Sequence, residues 1–275
     1  MLRKLMKHEF RATGRMMLPM FLVVLVTAVG ANLSVRVLLN TPYKMLDILG
    51  SLLMVAFAAA ITGVCAVAVV LMIGRFHKNL LRDEGYVMMT LPVSVHQHVW
   101  SKLLVSMIWF AATGVVVLLA FGILAYEVGL VRQFFAGLGE LLRQVQAGDY
   151  YLELGSVVGI GVESLALLAL SCGGGCLQIY ASMAIGHSFA RRKVLWSVVA
   201  FFASQAALQL LGGLLVSVVD ATGLDHVLTQ LLPRIDSPTG AAILLLAVLI
   251  VCGVLFAAFF YFLTTYFLKK RLNLE

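Results

Sequence analysis

Six apolar runs, each long enough to cross a lipid bilayer, dictate what this chain can become. A helix needs about 20 apolar residues to traverse a hydrocarbon core of roughly 30 Å. Met16–Leu39, Ile48–Ile73, Leu103–Tyr126, Leu154–Ile185, Val194–Val219 and Ala241–Leu268 all exceed that length. Inside lipid every backbone N–H and C=O must be satisfied within the protein, so continuous runs of this kind become helices. Apolar residues make up 62% of the chain and charged residues 12%, against about 25% charged in a soluble domain. The chain reads as an all-α polytopic membrane protein, with six transmembrane helices forming one transmembrane domain over residues 1–275.

Basic residues orient it, because loops rich in Lys and Arg stay in the cytoplasm. With both termini cytoplasmic, the inner side takes Arg3, Lys4, Lys7, Arg11, Arg15, Arg75, Lys78, Arg82 and Lys102. It also takes Arg191, Arg192, Lys193, Lys269, Lys270 and Arg271; the outer side keeps only Arg36, Lys44, Arg132, Arg143 and Arg234. An even number of spans agrees with that split. The formal net charge of +7 then reflects orientation and attraction to anionic lipid headgroups, and no nucleic-acid partner is expected. Val29-Gly30-Ala31 resembles a signal-peptide cleavage site. The leader is nonetheless long and amphipathic, and removing the first run would leave an odd number of spans, so it is read as retained.

The polar pieces are short. Residues 1–15 carry Leu2, Leu5, Met6 and Phe10 at helical spacing with cations on the other side, which predicts an N-terminal amphipathic interfacial helix leading into the first span. Pro19 is expected near the start of that span, where proline is tolerated. Outside, 127–153 and 220–240 carry apolar stripes that predict amphipathic segments at the membrane surface, with Asp220 or Thr222 as a cap for the second. Cys172 and Cys176 flank Gly173-Gly174-Gly175, a small-residue face suited to close helix packing. Gln178, Gln205 and Gln209 suit interhelical hydrogen bonds, while Asn32 and Arg36 are placed to snorkel at the outer end of the first span.

No GxxxxGK[ST] phosphate loop occurs in the chain, so ATP hydrolysis by that route is excluded. No HExxH occurs either, and the two halves show no internal repeat of the kind that secondary transporters carry.

The stretch from Arg75 to Lys102 is the unusual one. Phe76, Asn79 and Leu80 continue the second span as a helix. Gly85 ends it, as Gly commonly does just past a helix C-terminus. Tyr86 to Leu91 follows as a short apolar knuckle, and Pro92 forces Leu91 into an extended conformation. Ser94 with Gln97 reads as a capping box that starts a new helix at Val95. An apolar knuckle between charged helices suits a protein interface or folds back onto the inner membrane surface, and the residues alone leave both open.

Several motifs carry a family resemblance. They are the leader Lys4-Leu5-Met6-Lys7-His8-Glu9-Phe10, the loop Asp83-Glu84-Gly85-Tyr86 with Thr90-Leu91-Pro92-Val93-Ser94, and the ending Lys269-Lys270-Arg271-Leu272-Asn273-Leu274-Glu275. Together with the six-span layout they resemble the permease subunits of type-2 ABC exporters, of the small six-span bacterial kind. The resemblance implies a multi-pass protein of the bacterial cytoplasmic membrane, paired with a second permease in a homo- or heterodimer. A separate cytosolic ABC ATPase subunit would hold ATP and Mg, and this chain would bind no cofactor and be no enzyme. Asp83, Glu84, Gly85, Tyr86, Leu91, Pro92, Val93 and Ser94 would form the coupling helix seated in that ATPase. The leader would be a connector helix close to the ATPase, and Gly186–Lys193 a lesser contact.

One carboxylate stands inside a span. Glu163 is about two turns into the fourth run, where an ionisable group suggests function. It is read as lining the export path, as pairing across a dimer, or as lying at the headgroup level. Two other functions are compatible with the chain: a non-transporting sensor or immunity factor that binds a peptide or lipid, and an ion-coupled secondary transporter. The first would need a sizeable outer domain, and the second more intramembrane ionisable residues than Glu163 supplies.

Overall fold

The computed structural model describes residues 2–38, 43–81, 94–127, 154–189, 191–222 and 238–270, with scattered positions between 129 and 143. Among the described residues there are six long helices and no strand: α1 (Leu2–Leu33), α2 (Lys44–Leu81), α3 (Val95–Glu127), α4 (Leu154–Gly186), α5 (Lys193–Thr222) and α6 (Pro238–Lys270). Each contains a segment long and apolar enough to cross a membrane. The chain is an all-α, multi-pass membrane protein. At 30 to 38 residues per helix and 1.5 Å per residue, the helices run about 45–57 Å, so their ends project beyond the hydrocarbon layer.

Two compact units are distinguishable, Met1–Phe76 with His96–Arg143 and His77–Val95 with Gln144–Glu275. The first is built from α1, the greater part of α2, and α3. Met17, Phe21, Val24, Ala28 and Ala31 recur every third or fourth residue along α1 and are buried against Phe57, Val64 and Ala68 of α2 and Ala120 of α3. Helices α1 and α2 are antiparallel, because Ser34 Oγ donates to Gly50 O at 2.7 Å while Gly30 meets Leu53 and Gly63 meets Met20. Helices α1 and α3 are parallel: Glu9 meets Lys102 near their beginnings, and Asn32 Nδ2 donates to Ile123 O at 2.7 Å near their ends. A π-helical turn, Ser34–Leu38, closes α1, and Ser34 within it is fully buried.

In the second unit α4 packs chiefly against α6 and next against α5. The contact with α6 is parallel and rests on glycine. A Cβ on Gly174 would stand 2.9 Å from Phe256 Cδ1, and one on Gly253 3.6 Å from Leu170 Cβ. Gly173, Gly174 and Cys176 are all buried, so the small residues between Cys172 and Cys176 do serve close packing. The contact with α5 is antiparallel. Gln178 Nε2 donates to Ser204 Oγ at 2.9 Å, whose hydroxyl in turn donates to Phe201 O at 2.7 Å. This is the interhelical role expected of Gln178, whereas Gln205 and Gln209 lie exposed on α5. Burial in this unit concentrates at the end of α4 around Tyr180 and Ala184, with Thr264 and Leu268 of α6, while Ser197 is the one buried residue described on α5.

Several local expectations need revision. The leader is not delimited at Arg15: Leu2–Leu33 is one helix, because nothing between Phe10 and Leu18 breaks it and Gly14 lies flat against the Trp109 indole. Pro19 is therefore interior to α1; lacking an N–H, it frees the carbonyl of Arg15. Asp220 and Thr222 lie within α5, where Thr222 Oγ1 donates back to Val218 O at 2.7 Å, and the segment they were expected to cap lies outside the described residues. Asn32 does not snorkel, since its amide is spent on Ile123 O. In the outer segments, Arg132, Phe135 and Glu140 lie in helical backbone, and most of the apolar stripe in 127–153, like 223–237, lies outside the described residues.

Gly186 makes the closest approach in the second unit. A Cβ there would fall 2.6 Å from Ser197 Cα and inside contact distance of its amide nitrogen and hydroxyl, so backbone rests on backbone. Gly186→Ala is expected to destabilise by about 1–3 kcal/mol. Gly175→Ala, where a Cβ meets nothing within 4 Å, is expected to be neutral or slightly stabilising through helix propensity. Thermal unfolding of both variants in detergent checks the contrast; equal melting temperatures would mean α4 and α5 are not in backbone contact there.

Candidate functional site

The helices bring a buried ion pair to the end of the first unit where α1 begins, α2 approaches its last turns and α3 begins. Lys102 Nζ stands 2.8 Å from Glu9 Oε1, with the two side chains 3% and 10% exposed. Glu9, Thr13 and Met17 follow one another at four-residue steps on α1, and Lys102, Ser106 and Trp109 at steps of four and three along α3, so each set shares a helix face. A second polar rung lies one turn deeper: Trp109 Nε1 donates to Thr13 Oγ1 at 2.7 Å, and Thr13 donates to Glu9 O at 2.8 Å. The indole is flanked by Phe10 and Phe21, with ring centroids at 5.8 and 6.0 Å. Between these rungs and α2 remains a partly open cavity of about 20 Å³, bordered by Arg75, Lys102, Glu9, Thr13 and Ser106. That is room for about one water.

This cluster frames the Arg75–Lys102 stretch. Helix α2 continues through Phe76 and Leu80 to Leu81, and α3 starts at Val95, where the Ser94–Gln97 capping box put it. Phe76, Leu80 and Leu81 are buried, so this end of α2 is packed against protein. Ser94 is exposed, immediately ahead of the first turn of α3. Asp83, Glu84, Gly85, Tyr86, Leu91, Pro92 and Val93 lie outside the described residues.

Comparison of the chain with protein-family models, with curated proteins and with solved structures gives no match. What the site can do therefore rests on its own chemistry. A charged pair buried at the edge of an apolar layer holds two helices in one register, and neither partner can leave without stranding the other.

Glu163 lies in α4 two turns before Leu170 and three before Gly174, on the stripe that faces α6. The register of Leu170 with Gly253 carries Leu246 to the level of Glu163, and the sequence of α4 around Glu163 is apolar. The residue is half-buried, and Oε2 is enclosed without a hydrogen-bond partner. Among the described residues no proton donor meets that oxygen, although a carboxylate within an apolar span calls for one. The short connection from α4 to α5 is well built. His187 Nδ1 bonds Met183 O at 2.9 Å and its ring meets His77 at 5.1 Å, while Phe189 stacks on Trp196 at 4.6 Å. Arg192 adopts φ 56°, a left-handed conformation costing about 1 kcal/mol without glycine, and its carbonyl accepts the Trp196 N–H at 3.1 Å.

Sequence reading missed the Glu9–Lys102 pair. A signal was present: Glu9 is the lone carboxylate in a leader with five cations, yet nothing in the spacing names its partner. Glu9→Gln and Lys102→Met should each destabilise the protein by about 3–5 kcal/mol, because each strands a buried polar group. The double variant should recover most of that loss. A double-mutant cycle by thermal unfolding measures the coupling; additive single losses would mean that the two charges do not interact.

Proposed function

We propose that this chain is the membrane-spanning permease subunit of an ABC exporter. It would lie in the bacterial cytoplasmic membrane with both termini inside, pairing with a second permease and driven by separate cytosolic ATPase subunits. The reading rests on the motif resemblance together with one structural observation. The Glu9–Lys102 pair ties the leader to α3 two turns after Val95, so a push on the loop between α2 and α3 is delivered to α1 as well. A loop built to receive force needs such a joint, and a loop that only connects two spans does not. Lacking a phosphate loop of its own, the chain would take its energy there, through Asp83 to Ser94. Ser94, at the start of α3, would be the last residue of the contact.

Glu163 fits the same reading as a residue of the export path. Its enclosed, unsatisfied oxygen would be met by a positively charged group, from cargo or from the second permease. The apolar residues around it suit an amphipathic cation such as a basic peptide or lipid-like drug.

The decisive experiment concerns the partner. Replacing Glu84 and Tyr86 by alanine is expected to reduce ATPase copurification about tenfold or more, the size expected when interface anchors are truncated. Undiminished copurification and ATPase stimulation would overturn the assignment of the loop. For Glu163→Gln the expected result is a fall of about tenfold in export of cationic cargo, or a weaker permease dimer. That corresponds to about 1.4 kcal/mol. Wild-type values for both would remove Glu163 from the path and from the dimer contact.

A further inference from the structure

The cavity between α1, α2 and α3 carries an unbalanced charge. Three ionisable groups border it, Glu9, Arg75 and Lys102. Lys102 is answered by Glu9 at 2.8 Å, which leaves Arg75 as the surplus cation, and no ion pair joins Arg75 to any described residue. Arg75 is half-buried, and its planar group carries five N–H donors that form no ion pair with any described residue. It sits just beyond Ile73, where the apolar run of α2 ends, and a run that ends there brings the next residues toward the headgroup level. The guanidinium plane matches two phosphate oxygens side by side, a geometry that an ammonium lacks. Basic pockets between helices near this level are suited to anionic headgroups.

We infer that Arg75, at the mouth of the cavity lined by Lys102, Ser106 and Thr13, is the seat of a phosphate-bearing anion. The cavity holds about one water and cannot enclose a phosphate, so the anion rests at its mouth against the guanidinium, with water behind it. The Glu9–Lys102 pair sets the strength of the site, since Glu9 cancels one of the two positive charges that the anion would meet. A lipid headgroup and free inorganic phosphate offer the same chemistry, and the inference stands whether or not the chain is a transporter.

Native mass spectrometry of the purified, detergent-solubilised chain tests it, with phosphatidylglycerol, phosphatidylcholine and inorganic phosphate as probes. Wild type is expected to retain one equivalent of phosphatidylglycerol about tenfold better than phosphatidylcholine. Arg75→Gln should abolish that preference, Arg75→Lys should keep part of it, and Arg11→Gln, on an exposed position of α1, should leave it unchanged. Removing the carboxylate with Glu9→Gln should tighten retention. Displacement of the lipid by millimolar phosphate, or phosphate binding alone, would support the anion seat and identify its source as free phosphate. Equal retention of both lipids by wild type, without competition by phosphate, would overturn the inference. So would Arg75→Gln retaining phosphatidylglycerol as wild type does, since a correctly folded Arg75→Lys serves as the control for structure.

Discussion

A lysine and a glutamate at the margin of a hydrocarbon layer cannot stay apart, and the first unit is arranged around that fact. Stripped of water, either charge alone is costly; together at 2.8 Å they neutralise each other and fasten α1 to α3. Apolar side chains give helices in lipid little directional preference, because an acyl chain is as good a neighbour as a leucine. Register therefore comes from polar contacts. Helices α1 and α3 carry three of them at successive depths: Glu9 with Lys102, Thr13 with Trp109, and Asn32 with the Ile123 carbonyl. Between them the apolar positions Met17, Phe21, Val24 and Ala28 need only fit. The rungs decide which residue fits against which.

The second unit solves the same problem by shape. Gly174 and Gly253 admit Phe256 and Leu170 across the α4–α6 contact, and Gly186 admits the backbone of α5 at Ser197. Close approach multiplies dispersion contacts and leaves a single depth at which the helices mesh. Gln178 with Ser204 supplies a polar rung between α4 and α5. Glu163 stands outside either scheme: it shares the α6-facing stripe, yet its oxygen finds no donor. The same unit satisfies Gln178 through Ser204 and meets Glu163 Oε2 with no donor among the described residues.

Much of the architecture was legible before any coordinates. Span length and continuous hydropathy identify the six helices, since hydrocarbon thickness and backbone satisfaction leave no other option. The ends of helices bordered by polar sequence were legible too, because Ser94 and Gln97 act locally and Val95 follows at once. What escaped was contact between distant positions. Glu9 and Lys102 are 93 residues apart, and Asn32 reads equally well as a snorkelling group and as a donor to another helix. The leader looked separate because its charges change the composition at Arg15. Helical hydrogen bonding ignores composition, however, and continues to Leu33. Of the candidate coupling residues, Ser94 alone falls among the described positions, so the loop's role rests on its neighbours and on the motifs.

Helix α5 is joined to α4 at Gly186–Ser197 and Gln178–Ser204, both in the first half of its 30 residues. Beyond Ser204 its described side chains are exposed or, at Leu208, half-covered. Among the described side chains of its own unit, then, the helix is clamped in its first half and open along the second, like a cantilever. From Ser204 to Thr222 the free arm measures roughly 27 Å, so a tilt of about 10° at the clamp swings its tip by about 5 Å. An angular change of that size at the clamp would thus become a displacement about the width of a helix turn at the far end of the arm.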